Sequence, residues 1–337
     1  GTNVLSVRGD EYKRFIPVYD WMKIPGATMV QLDKMPGENE IQKWGLTNYV
    51  GAVTDGTYGA VGLDFKSPHT CLAAKKVWFF FDKTYVCLGT DISSRMKNQV
   101  LTTVNQCLLN GQVTVSDADG IHPQERGSRM KKGVRWVGHD RVGYYFLNKE
   151  NVILSNQRTE GSWKIANRQT TTPTDIIQQD VFTLSVDHGS YPNNEGYAYM
   201  VVPSADPLSI EKQVEEEGVV VLANCPDVQA VRHDGLNMAY AVFYKGGTLR
   251  IHDKIVVEMD APGMLMVKYN DAGEILTLGV SDPTRFMKKL HLSVNQRIVG
   301  TAQENIQTEW DGKQALTRIS VDLPQNEYAG KSVIYNK

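Results

Sequence analysis

The sequence predicts an all-β protein whose strands form stacked antiparallel sheets. Almost every segment either alternates apolar and polar residues with period two or forms a short run of β-branched and aromatic residues. No internal repeat of fixed period is present, which weighs against a propeller or a solenoid. Turn signals separate the runs at Asp55-Gly56, Asn110-Gly111, Asp119-Gly120, Gly246-Gly247 and Asp271-Ala272-Gly273.

The clearest strand patterns are distributed along the whole chain. They lie at residues 76–82, 85–89, 100–108, 143–147, 181–187, 197–202, 239–244 and 264–269. Only residues 208–217, which follow Asp206-Pro207, have a composition that favours a helix, and that helix is short. The same stretch ends in Glu215-Glu216-Glu217, a run of like charge typical of a solvated linker or loop face.

Length and composition predict two domains and exclude some functions. The 337 residues exceed the usual domain size of roughly 100–200 residues. The predicted division gives a large domain over 1–235 and a small one over 236–337, with 203–234 allowed for the boundary. A net charge of −2 argues against nucleic-acid binding. No apolar run reaches the length of about 18 residues that a membrane span requires.

The cysteines and histidines show no pattern of a metal site. The four cysteines are widely spaced, and Cys87 and Cys107 lie in apolar runs typical of buried thiols. The seven histidines occur singly. Asp33, Asp55 and Asp64 offer the oxygen ligands that calcium prefers, although turn chemistry explains Asp55-Gly56 equally well. No cofactor is therefore predicted, and a structural calcium stays an alternative.

Residues 11–26 concentrate two acids, three bases, four aromatic residues and two prolines in a short run. Pro17 and Pro25 disfavour a long helix and push the residues before them towards extended geometry. A stiff extended path with Glu11 and Arg14 at its head would suit a polar polymer, because arginine donates two parallel hydrogen bonds to carboxylate or sulfate. The alternatives are an N-terminal edge strand with its aromatics in the core, and an ordinary surface ion pair.

Established motifs for serine catalysis and nucleotide binding are missing from the sequence. There is no Gly-x-Ser-x-Gly and no phosphate-binding glycine loop. A carboxylate pair for glycoside hydrolysis stays open, because a sequence does not show distances between sheets.

Four ordered stretches resemble one family. They are Phe15-Ile-Pro-Val-Tyr-Asp-Trp-Met-Lys-Ile-Pro-Gly-Ala-Thr28, then 51–59, then 74–82 followed by 86–89, and finally 197–203. In this order they resemble bacterial polysaccharide lyases that act on chondroitin, hyaluronan and xanthan, and chondroitin AC lyases most of all. The resemblance extends over essentially the whole chain. It implies a large antiparallel β-supersandwich followed by a smaller C-terminal β-sandwich.

The resemblance also implies a mechanism that involves a further domain. Members of the family cleave by β-elimination with Asn, His, Tyr and Arg from an N-terminal α/α-toroid, which no segment here resembles. The chain is thus expected to be a fragment that forms one wall of the cleft and is inactive alone. By position, Glu11 matches a glutamate that supports the catalytic arginine and tyrosine. Arg14 stands where the family has a substrate-contacting Asn, and Asn48 lies in a segment similar to one facing the cleft.

The implied partners are an acidic polysaccharide and the toroid, with no nucleic acid and no membrane, in a monomeric bacterial protein that is secreted or periplasmic. An alternative is a non-catalytic carbohydrate-binding or structural module. A hydrolase or epimerase with its site inside the sandwich is a third, for which no acid pair is evident.

Overall fold

A computed structural model describes residues 1–37, 40, 42, 44–298 and 303–337 of the chain. The chain divides into two compact units, each assembled from separate stretches. The first unit contains residues 1–44, 67–74 and 92–213, and the second contains residues 45–66, 75–91 and 214–337. The predicted domain boundary, which follows the order of the sequence, stays a prediction.

The strands are numbered in chain order. The first twelve are β1 Thr28–Val30, β2 Val50–Thr54, β3 Gly59–Lys66, β4 Ala73–Phe80, β5 Tyr85–Ser93, β6 Gln99–Leu108, β7 Thr114–Asp117, β8 Gly120–Pro123, β9 Ser128–His139, β10 Val142–Gly161, β11 Ile177–Ser190 and β12 Glu195–Pro203. The others are β13 Val219–Asn224, β14 Val228–His233, β15 Met238–Phe243, β16 Gly247–His252, β17 Ile255–Met259, β18 Gly263–Tyr269, β19 Ile275–Ser281, β20 Lys289–Val294, β21 Ile306–Asp311, β22 Leu316–Asp322 and β23 Val333–Asn336.

Helical structure is sparse in the described chain. The α-helix α1 spans Ile210–Glu217. Short 3-10 turns occupy Ile16–Val18, Trp163–Ile165, Pro207–Ser209, Asp234–Leu236 and Asn326–Tyr328. No described helix has the length and apolar character needed to cross a membrane.

The first unit is built on neighbouring strands in the order β1-β6-β11-β10-β12, with β7, β8 and β9 branching from β10. The 20-residue strand β10 is central because it pairs with β9, β11 and β12, always antiparallel. Its inward side chains alternate with outward polar ones, as in Val152, Leu154 and Asn156, all of which are buried.

The second unit contains three sets of strands: β5-β4-β3-β2, β13-β14-β15-β18-β19-β23 and β16-β17-β20-β22-β21. Every residue of β15 is buried, so this strand is covered on both faces. On one face Tyr240 packs against Phe79, with ring centroids 5.9 Å apart. On the other face Phe243 joins the core that includes Ile319 of the five-stranded sheet. The run Met-Ala-Tyr-Ala-Val-Phe therefore has no polar side, as expected for a strand buried on both faces.

The all-β prediction is confirmed, since each predicted strand coincides with an observed one and the predicted helix coincides with Pro207–Ser209 and α1. The buried state of Cys87 and Cys107 is also confirmed. The prediction that the acidic run is a linker or loop face is wrong, because Glu215 to Glu217 form the last residues of α1. The Glu217 carboxylate also lies 2.7 Å from His233 Nε2.

The prediction that residues 11–26 form an extended path or an edge strand is wrong, because tight turns occupy this segment. Pro17 lies in the first turn of the 3-10 helix Ile16–Val18, where its fixed φ suits helical geometry and its missing N–H costs nothing. Phe15 and Val18 are buried against Val181 of β11. The aromatic side chains thus hold the segment to the sheet of the first unit.

Gly161, at the end of β10, allows this segment to pack. A methyl group there would overlap the carbonyl oxygen of Pro17. We expect Gly161→Ala to lower the free energy of unfolding by about 1–3 kcal/mol, the range typical of overpacking. Urea denaturation measures it. Gly247→Ala is the control, since no atom lies within 4 Å of its methyl group, and an equal loss in both variants would contradict the packing argument.

Lys76 in β4 has its side chain fully buried, 5.2 Å from the centroid of the Trp78 ring. Burial lowers the pKa of Lys76 to about 7, against about 10.4 in an unfolded chain. Between about pH 7 and pH 10 the unfolded state binds one more proton than the folded state. The free energy of unfolding should therefore rise with pH over this interval, by on the order of a few kcal/mol.

We expect Lys76→Met to remove this rise between about pH 7 and pH 10, measured by denaturation at several pH values. The control is Lys313→Met at an exposed site. The same pH slope in wild type and Lys76→Met would show that Lys76 is charged in the native state.

Candidate functional site

The carboxylate of Glu11 is the centre of the candidate site in the first unit. Glu11 is only 6% exposed, and its side chain accepts four hydrogen bonds. Oε1 accepts from the amides of Val7 and Arg8, both at 2.6 Å. Oε2 accepts from Ser6 Oγ at 2.7 Å and from the amide of Gly9 at 2.9 Å. These donors use the acceptor positions of an ionised carboxylate and fold residues 6–9 around it.

The protonation state of Glu11 follows from these bonds. Burial alone would raise the pKa, but the hydrogen bonds from the Arg8 amide, the Ser6 hydroxyl and the Val7 amide lower the pKa of Glu11 to about 2. The side chain is thus an anion at neutral pH. Each of its observed partners belongs to residues 6–9, so an arginine supplied by another domain would have to exchange with one of them.

Residues 6–9 form an N-terminal strap, and Arg8 attaches this strap to the turn between β9 and β10. Its Nε donates to Asp140 at 2.8 Å, and the Asp140 side chain is 5% exposed. Asn110 Nδ2 donates to the same carboxylate at 2.7 Å. Sequence reasoning missed Arg8 and Asp140 because 132 residues separate them and neither lies in a recognisable motif.

A buried polar network lies next to the strap. The Tyr12 hydroxyl lies 3.1 Å from the carbonyl of Leu5 and 3.3 Å from Asn105 Oδ1. Asn105 Nδ2 donates to the Tyr144 hydroxyl at 2.6 Å. Burial raises the pKa of Tyr12 far above neutral pH, so this phenol stays protonated and cannot act as a base.

Cys107 and His139 form a pair that the sequence did not predict, since 32 residues separate them. Cys107 Sγ lies 3.9 Å from His139 Nδ1. His139 stacks on Phe182, with centroids 4.2 Å apart, and burial lowers its pKa to about 4. Burial raises the pKa of the Cys107 thiol to about 12. Both groups are therefore neutral and enclosed, which is the opposite of an activated thiolate–imidazolium pair.

Arg14 is exposed, with its backbone in the left-handed region at a φ of 54°. Such a conformation costs a non-glycine residue on the order of 1 kcal/mol and recurs at ligand-binding positions. Hydrogen bonds from the Lys13 amide to Asp10 and from the Phe15 amide to Tyr12 close the turns around it. Among the described residues the guanidinium has no ion-pair partner. It is therefore available to an anionic ligand.

Asn48 lies in the second unit, on an exposed position between two anchored neighbours. Thr47 Oγ1 donates to the carbonyl of Asp64 at 2.5 Å, and the hydroxyl of buried Tyr49 donates to the carbonyl of Phe243 at 2.8 Å. These bonds fix the backbone on both sides, so the Asn48 amide is presented to solvent from a defined position.

The carboxylates considered for calcium do not form one cluster. Asp33 belongs to the first unit, whereas Asp55 and Asp64 belong to the second. Asp55 makes an ion pair with Lys268 and accepts from the amides of Thr57 and Tyr58. In the part of the chain that the structure describes, no group of three or more His, Cys, Asp or Glu side chains has metal-site geometry.

A concave surface of about 610 Å³ lies on the exposed face of the five-stranded sheet of the second unit. Its lining includes three carboxylates and one arginine: Glu258, Asp260, Glu309 and Arg318. Arg318 already binds Asp311 at 3.3 Å and Gln314 at 2.9 Å. The excess of negative charge disfavours an acidic polymer here.

Comparison with known proteins identifies this architecture. Residues 1–214 match the super-sandwich domain of polysaccharide lyase family 8, and residues 220–291 match its C-terminal β-sandwich domain. The all-β fold and its two sandwich domains are therefore those of a carbohydrate-active lyase family. The chain belongs to polysaccharide lyase family 8, which confirms the resemblance found in its sequence.

The individual relatives cover nearly all of this chain. It is 35% identical to chondroitinase AC of Pedobacter heparinus over 99% of its length and 45% of the relative's. A hyaluronate lyase of Thermasporomyces composti is 28% identical over 94% of the chain and 40% of the relative. A solved chondroitinase AC lyase in complex with oligosaccharides superposes with a TM-score of 0.82 at 34% identity, over 98% of this chain and 46% of that one. The chain thus spans less than half the length of these relatives.

The role of the Glu11 carboxylate can be tested through stability. An unfolded glutamate has a pKa of about 4.3, so the carboxylate contributes stability above that pH and loses it as pH falls towards 2. We expect Glu11→Gln to lower the free energy of unfolding at pH 7 by about 1–3 kcal/mol, since the amide leaves buried donors unpaired.

The difference between wild type and Glu11→Gln should shrink between pH 4 and pH 2, roughly the interval between the two pKa values. Urea denaturation at these pH values measures it, with exposed Glu215→Gln as the control. A difference that is constant over this interval would contradict an ionised, hydrogen-bonded Glu11.

Proposed function

We propose that this chain is the β-sandwich part of a polysaccharide lyase that cleaves a uronate-containing polysaccharide, of chondroitin or hyaluronan type, by β-elimination. Membership of family 8 and the likeness to chondroitinase AC over 99% of the chain support this proposal. The observation that carries it is that a buried carboxylate, Glu11, is followed three residues later by a solvent-exposed arginine, Arg14. Arg14 presents a positive charge to solvent from a turn of defined geometry.

The proposed chemistry divides between this chain and an α/α-toroid. In β-elimination a base removes the C5 proton beside the uronate carboxyl, and the 4-linked oxygen leaves. The groups that take and return the proton must lie within hydrogen-bond reach of the sugar. Tyr12 and His139 do not meet this need, since Tyr12 stays protonated and His139 is enclosed. We therefore assign the base to the toroid and a positioning role to Glu11.

Arg14 and Asn48 are the proposed substrate contacts. A guanidinium binds a carboxylate or sulfate through two parallel hydrogen bonds, so Arg14 suits the anionic groups of such a polymer. Asn48 can donate to and accept from sugar hydroxyls. The protein would act as a monomer, secreted or periplasmic, with its two sandwich domains divided between residues 203 and 234.

Binding tests the role of Arg14. We expect Arg14→Ala to weaken binding of chondroitin oligosaccharides to the 337-residue chain about tenfold, with partial recovery in Arg14→Lys, because lysine keeps the charge but loses the bidentate fork. Titration calorimetry measures it, and Arg95→Ala, at another exposed arginine of the first unit, is the control. Equal affinities for wild type and Arg14→Ala would remove Arg14 from the proposed contact.

An activity assay tests whether the catalytic base lies outside this chain. The 337-residue chain incubated with chondroitin or hyaluronan should produce no ultraviolet absorbance from unsaturated uronate. Turnover by this chain would refute the assignment of the base to the toroid. The presence of a helical domain of family type ahead of this region in the parent protein would support it.

A further inference from the structure

Two neighbouring loops of the second unit expose aromatic rings beside cations that have no acidic partner. One loop joins β19 to β20 and carries Phe286, which is 74% exposed. The other joins β22 to β23 and carries Tyr328, which is 60% exposed. Single exposed apolar residues are ordinary on a protein surface, whereas two exposed aromatic rings on adjoining loops are a feature of interaction sites.

The first loop is rigid because it is wound around Asp282. This carboxylate is 2% exposed and accepts from the Thr284 amide at 2.8 Å, the Thr284 hydroxyl at 2.6 Å and the Met287 amide at 2.8 Å. Met287 packs on the core, whereas Arg285, with a φ of 63°, and Phe286 point into solvent. Strained backbone held by its surroundings is characteristic of binding positions.

The second loop is attached to the first. Gln325 Nε2 donates to the carbonyl of Met287 at 2.9 Å, and the amide of Leu323 donates to the carbonyl of Lys288 at 2.8 Å. Gly330 lies so close to the Arg285 side chain that an added methyl would be 3.0 Å from its Cγ. Phe286 and Tyr328 are therefore presented by two loops that are hydrogen-bonded to each other.

The charge at this place is positive. Arg285, Lys288 and Lys331 are exposed, and none of them has an ion-pair partner among the described residues. Lys331 Nζ lies 6.0 Å from the centroid of the Tyr328 ring. Glu327 is an exposed acid on these loops and offsets part of this positive charge. Asp282 does not, because it is buried, and Asp322 is already paired with Lys289 at 3.0 Å.

The surface continues towards the segment of Asn48. The amide of Val50 donates to the carbonyl of Pro283 at 3.3 Å, and the amide of Thr54 donates to Ser332 Oγ at 3.0 Å. Strand β2 therefore runs along both loops, and Asn48 lies two residues before it. A polymer that contacts Asn48 can extend onto the loops without leaving the second unit.

We propose that Arg285, Phe286, Lys288, Tyr328 and Lys331 form an accessory binding surface for an acidic polysaccharide chain. The rings would contact the apolar faces of the pyranose units, and the cations would bind the carboxylates or sulfates of the polymer. The identity of the polymer rests on the proposed function. The surface would hold the chain at a distance from the reacting bond and would favour long substrates over short ones.

Equilibrium binding of the 337-residue chain to long hyaluronan and chondroitin sulfate, with neutral dextran for comparison, tests this surface. We expect Phe286→Ala/Tyr328→Ala to weaken binding about tenfold and Arg285→Gln/Lys331→Gln to reduce its salt dependence as well. Glutamine keeps the aliphatic stem of Arg285 against Gly330. Tyr191→Ala, at a tyrosine 59% exposed in the first unit, should bind like wild type.

The outcomes separate this inference from the proposed function. Binding that depends on Arg14 but not on the loop variants would overturn the surface and leave the proposed lyase role intact. Failure of wild type to bind either acidic polymer would also overturn it. Binding that the loop variants weaken and Arg14→Ala does not would establish the surface, even if the parent protein proved inactive on both polymers.

Discussion

The structure around the candidate site depends on one buried carboxylate. Glu11 accepts hydrogen bonds from one hydroxyl and three successive amides, and so turns a short N-terminal segment into a fixed strap. A charged acceptor inside a protein is stable only when such donors replace its lost water. The ion pair between Arg8 and Asp140 then attaches this strap to the sheet of the first unit. Arg14 lies just beyond this strap, in a turn closed by the Lys13 and Phe15 amides.

A similar buried, hydrogen-bonded carboxylate is present in the second unit. Asp282 is buried, accepts from nearby amides, and is followed three residues later by an exposed arginine in the left-handed region. Glu11 and Arg14 stand in the same relation, with φ values of 54° for Arg14 and 63° for Arg285. The loop organised by Asp282 itself carries the exposed arginine, whereas Glu11 organises residues 6–9 and Arg14 lies in the turn that follows Glu11. Such rigid presentation lowers the entropic cost of binding a flexible polymer.

Much of the fold was accessible from the sequence because strands impose a strong periodic signal. The apolar run of β15 and the alternation along β10 are consequences of which faces are buried. The prolines of residues 11–26 misled the local prediction. Proline excludes a long helix, but its fixed φ suits a 3-10 turn as well as an extended strand, and packing of Phe15 and Val18 selected the turn.

The sequence by itself determined the all-β class, the strand positions and the family resemblance, and it singled out Glu11 and Arg14 as candidates, since these depend on local pattern and on order along the chain. Only the tertiary structure decided the partners of Glu11, the neutral state of the Cys107–His139 pair, and the meeting of the Phe286 and Tyr328 loops. Antiparallel sheets bring together residues far apart in sequence, and burial then sets their charge. Neither effect leaves a local pattern in the sequence.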